Sequence, residues 1–301
     1  MTQAAYHGYI PQSAVILERQ IMKQKTWLIT GATRGIGAAI AKAALDAGDK
    51  VVVTGRDINK LQSQFASYGD KVLALTLDVN DEAQAQAAVK AACTQFGSLD
   101  VLVNNAGYGQ LGLFEEISTA EIRQQFDTNV YGSMNMARAA LPVMREQRRG
   151  HIFNLSSIGG IVGFESASVY CASKFAIEGF SESLALEVSR FGIHITIVEP
   201  GFFRTDFLDQ TSVRYGDKTI TDYVSSGINS RETFASYNHQ QAGDPVKLGA
   251  AVVSISNMAE PPLRYAAGSD AIEVVGASLE KHQQELQQWR VLSVSTDGDF
   301  A

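Results

Sequence analysis

Cysteine is nearly absent. Cys93 and Cys171 are the only two in 301 residues, and neither belongs to a C-x-x-C pair or a Cys/His cluster. That spacing supports neither a disulfide scaffold nor a structural zinc site. Two unpaired thiols suit a reducing cytosol, so a cytoplasmic location is expected. The five histidines, His7, His151, His194, His239 and His282, are scattered, and no metal site is expected. No apolar run reaches the ~18–20 residues that span a bilayer. Basic residues are the minority, 25 Lys and Arg against 32 Asp and Glu, for a formal charge of −7. A mildly acidic chain lacks the footprint of a nucleic-acid or anionic-membrane binder. What remains is ordinary: 19% charged and 45% hydrophobic residues, the composition of a packed globular protein.

The first 21 residues are not a signal peptide, since they lack a basic start and their apolar run, Ala14–Leu17, is too short. Two readings stay open. Residues 1–21 are an upstream extension of a body at 22–301, or Ser13–Met22 is a short helix packed on that body.

From residue 26 onward, short β-branched runs alternate with helical stretches. Thr26–Thr30, Lys50–Thr54, Lys71–Leu77, Leu99–Val103, Gly150–Leu155 and Ile193–Glu199 read as strands. Gly35–Ala47, Ile58–Ser67, Asp81–Phe96, Thr119–Gln147 and Ser168–Phe191 read as helices. This alternation predicts βαβ units and an α/β fold, a doubly wound parallel sheet covered by helices on both faces in three layers. No repeat or low-complexity linker divides it, so a single domain is expected. The segment Phe202–Pro245 is polar with little periodicity, and its length marks residues 206–245 as a lid over a substrate. Apolar residues at Ile272, Val275, Leu279, Leu286 and Trp289 predict a C-terminal helix over 271–289, with Trp289 packed and the tail Ser293–Ala301 frayed.

The first strand runs into T-G-A-T-R-G-I-G, Thr30–Gly37. A strand, a Gly-rich turn and a helix start present free backbone N–H groups to a pyrophosphate. The spacing is G-x-x-x-G-x-G, at Gly31, Gly35 and Gly37, not G-x-G-x-x-G. The second strand ends in T-G-R-D, where an acidic residue would favour NAD(H) by bonding the ribose hydroxyl. Here Arg56 occupies the place, and Arg34 lies in the Gly loop. Two guanidiniums suit a 2′-phosphate, so NADP(H) is preferred over NAD(H). Asp57, one residue on, carries the competing reading.

Three further motifs follow in order: N-N-A-G (Asn104–Gly107), Y-x-x-x-K (Tyr170–Lys174) and P-G-F-F-R-T (Pro200–Thr205). Together with the Gly loop they resemble the single-domain branch of the short-chain dehydrogenases/reductases, from Lys25 to about Thr205. The resemblance implies a Rossmann-type fold and hydride exchange with a nicotinamide cofactor. It implies cofactor contacts from Gly31, Thr33, Arg34, Gly35, Ile36, Gly37 and Arg56, and an adenine site at Asp78 and Val79. A ribose-side turn would be Asn105, Ala106 and Gly107. Pro200, Gly201, Phe203 and Thr205 would sit at the nicotinamide, with Thr205 on its carboxamide. It implies Asn129, Ser157, Tyr170 and Lys174 as the catalytic set. Ser156 competes for the serine role, but Ser157 has the family's offset of 13 residues before Tyr170.

Tyrosine, with pKa near ~10, is a poor base at neutral pH. Tyr170 and Lys174 are four apart and share a helix face. The lysine ammonium is expected to lower the phenol pKa and make Tyr170 a general acid and base. Lys174 would also bond the nicotinamide ribose, Ser157 the substrate oxygen, and Asn129 a water linking Lys174 to solvent.

The substrate wall is expected from Tyr108, Leu111, Phe114, Ile161, Val162, Phe164, Phe202, Phe203 and Phe207. That wall predicts an uncharged ketone, aldehyde or secondary alcohol with a hydrophobic body. The tail lacks the family's common V-D-G-G-like segment, although Leu263–Gly268 offers a last strand. A tetramer is therefore in doubt, and a homodimer through the two long helices or a monomer stays open. The alternative to an enzyme is an NADP(H)-sensing binding protein without turnover. An epimerase or dehydratase of the extended branch is the third reading, and its G-x-x-G-x-x-G motif is absent.

Overall fold

The structure is a computed structural model that describes residues 24–209 and 212–298. The expectations for residues 1–21 lie outside the described residues. In chain order the first half comprises β1 (Thr26–Ile29), α1 (Gly35–Asp46), β2 (Lys50–Gly55), α2 (Ile58–Phe65), β3 (Val72–Thr76), α3 (Glu82–Phe96) and β4 (Val101–Asn104). There follow β5 (Gly109–Leu111), α4 (Thr119–Phe126), α5 (Gly132–Gln147), β6 (Gly150–Leu155), α6 (Ser168–Val188) and β7 (Ile193–Pro200). The last part holds β8 (Val213–Tyr215), α7 (Thr221–Ser225), α8 (Ser230–Tyr237), α9 (Pro245–Ser256), β9 (Arg264–Ala267), α10 (Ser269–Gln288) and α11 (Arg290–Val294).

Seven strands form one sheet in the order β3-β2-β1-β4-β6-β7-β9, all neighbours parallel. Parallel sheets bury both faces, and the strands read accordingly as continuous apolar runs such as Val51–Val53. Side-chain alternation divides the core. Trp27, Ile29, Val51 and Val53 pack against Ile40, Ala41 and Ala44 of α1 and Leu248 and Val252 of α9. Leu28, Val52 and Leu102 face the other way, onto Val89 of α3, Met136 and Met144 of α5, and Leu184 of α6. The result is the expected three-layer, doubly wound Rossmann-type fold in one domain.

Helix starts follow local chemistry. Asp81 caps α3 by accepting from the N–H groups of Ala83 and Gln84 at 2.9 and 3.1 Å. Ser118 and Glu121 form a reciprocal capping box on α4. Asp57 caps α2, accepting from the Lys60 N–H at 3.0 Å.

Three elements differ from the sequence reading. The expected helix Thr119–Gln147 is two helices joined by a π-helical segment, Asp127–Tyr131, and such bulges gather at functional sites. The expected lid is not irregular throughout. It contains β8, which pairs in parallel with β5, and the short helices α7 and α8. The C-terminal helix forms over nearly the expected span, but of its residues only Ala271 is buried. Trp289 is 55% exposed, and Ile272, Leu279 and Leu286 face solvent too. Its 3/4 apolar spacing therefore reports helix formation, not packing. No helix among the described residues is long and apolar enough to cross a membrane.

Candidate active site

The strand order reverses between β1 and β4, and the crevice beyond their carboxyl ends is where such folds bind ligands. Two loops meet there. The loop after β1 is Thr30–Arg34 and the loop after β4 is Asn105–Tyr108. One hydroxyl ties them: Thr30 Oγ1 accepts from the N–H groups of Asn105 and Ala106, both at 2.9 Å. The Asn105 amide nitrogen then donates to the carbonyls of Thr30 and Gly31 at 2.9 and 3.1 Å.

This knot explains two glycines. Gly31 has φ +66°, a left-handed conformation that side chains rarely adopt. A β-carbon on Gly37 would lie 2.3 Å from Asn105 Nδ2 and 2.6 Å from the Gly31 carbonyl oxygen. The N-terminus of α1 can approach the loop only without one.

The crevice opens into a cavity of about 840 Å³. Gly31, Thr33, Arg34, Gly35, Ile36 and Arg56 line it at one end, with Asp78 and Val79, then Asn105, Ala106 and Gly107. Ser157, Tyr170, Lys174, Pro200, Gly201, Phe203 and Thr205 line the rest. Of the expected cofactor and catalytic residues, two do not line it. Gly37 sits behind the loop, as described. Asn129, in the π segment, is buried and turned to the protein. Its amide donates to the Tyr108 carbonyl at 3.1 Å and Ser173 Oγ at 3.2 Å, and its oxygen accepts from the Tyr108 N–H at 3.1 Å. These bonds hold the side-chain amide to the protein, so Asn129 clamps the loop after β4.

Asp57 is absent from the cavity lining, its carboxylate being the α2 cap. Arg34 and Arg56 line this end of the cavity together with Asp78. Of the expected substrate wall, Tyr108, Leu111, Phe164, Phe202, Phe203 and Phe207 line the cavity. Phe114, Ile161 and Val162 do not, and Phe114 lies largely in solvent.

Tyr170 and Lys174 come from one face of α6. Lys174 Nζ lies 5.8 Å from the Tyr170 ring centre and donates to the Leu155 carbonyl at 2.6 Å. Ser157, at the end of β6, accepts from the Gly159 N–H at 3.0 Å, which fixes its hydroxyl beside the Tyr170 phenol. Burial pushes the phenol up to about 12, against the pull of the Ser157 hydroxyl. Burial pushes Lys174 down to about 8, opposed by Glu178. The expected lowering of the Tyr170 pKa by Lys174 is therefore not found.

Phe207 stands in the expected wall, and several other residues of the site carried no sequence signal. Phe207 tilts against Tyr170 with ring centres 5.6 Å apart. From the lid come Arg214, Asn229, Phe234 and Tyr237. Arg214 stacks over Tyr108 at 4.9 Å and donates to Gln124 at 2.7 Å. Asp270 braces the P-G turn, accepting from the Phe202 N–H at 2.7 Å. The lid also brings Asp206, Asp209 and His239 together, with His239 Nε2 3.0 Å from Asp209, a grouping that scattered positions conceal.

The profile of the short chain dehydrogenase family matches residues 25–215. The chain belongs to that family. Among its relatives is the 3-ketodihydrosphingosine reductase of Bacteroides thetaiotaomicron, 38% identical over 247 residues, which are 82% of this chain and 89% of the relative. A solved short-chain dehydrogenase from Streptomyces avermitilis is 38% identical with a TM-score of 0.83, covering 92% of this chain and all of that one. The solved ElxO with NADP bound is 30% identical with a TM-score of 0.67, covering 81% of this chain and 96% of its own. As a short-chain dehydrogenase the protein is an oxidoreductase of the alcohol and carbonyl class.

Proposed function

We propose that this short-chain dehydrogenase exchanges hydride between NADP(H) and a carbonyl or secondary alcohol with a hydrophobic body, with Tyr170 as general acid and base. The observation that carries the reading is convergence. One cavity has a Gly-loop cradle with Arg34 and Arg56 at one end and Ser157, Tyr170 and Lys174 at the other.

The cradle fits the cofactor because Gly31 and Gly35, without side chains, line it at the start of α1 beside Arg34 and Arg56. Arg34, Arg56 and Thr33 would hold the adenosine end and its 2′-phosphate. Asp78 and Val79 would hold the adenine, and Thr205 the carboxamide. When bound, the nicotinamide supplies or takes the hydride. The chain does the rest. Tyr170 holds its proton at neutral pH, since burial keeps the phenol near about 12, and in reduction it gives that proton to the substrate oxygen. The Ser157 hydroxyl donates to the same oxygen as charge develops there. Lys174 brings positive charge to the phenol's side of the cavity. Phe164, Phe202, Phe207 and Phe234 exclude water and accept an apolar body. The lid at 206–245 covers it.

The reading extends to a cytoplasmic location and to a homodimer through α5 and α6, supported by exposed Phe175 and Leu186 on the latter. Kinetics test the cofactor directly. We expect kcat/KM at least tenfold higher with NADPH than NADH across hydrophobic ketones and aldehydes. Equal or greater NADH use overturns the cofactor assignment. Tight NADPH binding without turnover on any substrate would favour the sensor reading.

A further inference from the structure

Lys174 is 9% exposed, and one backbone carbonyl, that of Leu155, accepts from its ammonium. A carbonyl dipole does not neutralise a buried charge, and an uncompensated one is costly. One turn along α6, on the same face, stands Glu178, 5% exposed. Residues at this spacing have β-carbons roughly 5–6 Å apart. The Glu178 carboxylate is held in turn by Arg264 of β9, whose Nη1 donates to Glu178 Oε2.

Arg264 serves three carboxylates. Its Nη2 donates to Glu182 at 2.9 Å, and its Nη1 lies 3.5 Å from Glu199 of β7. Glu182 is exposed at the rim. Glu199 is 2% exposed, and burial together with the charge of Glu178 pushes its carboxyl up to about 7. Around Glu178 stand Lys174 and Glu182 along α6, Ser156 at the end of β6, Glu199 from β7 and Arg264 from β9. Burial pushes the Glu178 carboxyl up, while Ser156, Arg264 and Lys174 oppose it. Glu178 makes the close contact with Arg264 and Glu199 the long one, so the ionised buried carboxylate is Glu178.

We propose that Glu178, clamped by Arg264, is a positioning residue whose carboxylate is the counter-charge that keeps the Lys174 ammonium ionised and aimed into the cavity. The proposal rests on the reading of Lys174 given above, and it places part of the site's electrostatic control on a strand 86 residues away in sequence. A nearby opposite charge favours an ionised group, and Glu178 acts on Lys174 in that sense.

The test reads the ionisation of Lys174 without turnover. Acetylation of Lys174 in the folded, cofactor-free full chain is followed against pH by mass spectrometry. In Glu178→Gln the midpoint is expected to fall by about one pH unit or more. Glu182→Gln, which removes an exposed carboxylate from the same arginine, is expected to leave it in place. The alkaline limb of kcat/KM for reduction shifts to lower pH with the Glu178→Gln midpoint. A merely structural role would lower the rate at every pH and move neither. An unchanged midpoint in Glu178→Gln, or an equal shift in Glu182→Gln, overturns the proposal. Should Glu178→Gln fail to fold, Glu178→Asp decides by the same measurement: a smaller shift in the same direction supports the proposal, and none overturns it. If the wild-type protein turns over no carbonyl, the catalytic reading fails, and the labelling midpoint still decides this inference.

Discussion

Two glycine-to-alanine substitutions inside helices should have opposite signs. Gly37 is in α1 and Gly179 in α6, and neither has a positive φ. A β-carbon at Gly179 meets nothing within 4 Å. Gly179→Ala therefore collects only the helix-propensity gain, about 0.5–1 kcal/mol. At Gly37 the same atom would lie 2.3 Å from Asn105 Nδ2. Either the helix shifts, at about 1–3 kcal/mol for overpacking, or the Asn105 amide leaves its two carbonyls, at about 1 kcal/mol each. Offset by the same propensity gain, Gly37→Ala should cost about 1–2 kcal/mol net in urea unfolding, and weaken NADPH binding because the same amide shapes the loop. Gly37→Ala at wild-type stability with unaltered NADPH affinity would refute the account of the cradle.

Three further expectations follow from the same contacts. His151 is buried against Phe153 with its Nε2 2.9 Å from Thr196 Oγ1, and burial lowers its pKa to about 3. The unfolded chain binds a proton below ~6.5 that the folded chain refuses, so stability falls as pH drops, by about 2 kcal/mol from this group between pH ~7 and ~5. Denaturation of His151→Gln should lose that much less between the two pH values than wild type; parallel losses would contradict it. Arg56→Ala should weaken NADPH binding about 10–100-fold, the worth of a charge-assisted bond, and leave NADH binding unchanged by fluorescence titration; equal losses for both would show Arg56 does not read the phosphate. Phe207→Ala, removing the ring against Tyr170, should raise KM for hydrophobic substrates about tenfold, and an unchanged KM would place the substrate elsewhere.

The fold was legible because parallel strands are buried on both faces and so announce themselves as runs such as Val51–Val53. The cofactor loop was legible because the glycines it needs are local in sequence. Less local features were not. Asn129 was legible from its motif, but the direction of its side chain depends on a π turn that no periodicity signals. The lid's β8 is three residues long and exists because β5 offers an edge to pair with. Arg214 reaches the cavity through that pairing. The Tyr170 pKa misled because Y-x-x-x-K reveals proximity and conceals desolvation. Glu178 and Arg264 meet only once β9 closes the sheet. The C-terminal helix shows the converse: apolar spacing predicted the helix but not what it would touch.

The most direct test of the central claim is NADPH oxidation by wild type and Tyr170→Phe against one hydrophobic ketone, with NADPH affinity measured alongside. The account predicts that kcat falls at least ~100-fold, the worth of a positioned general acid, while NADPH binds within about threefold of wild type. Turnover that survives in the phenylalanine variant would show that the proton comes from elsewhere and that Tyr170 is not the acid.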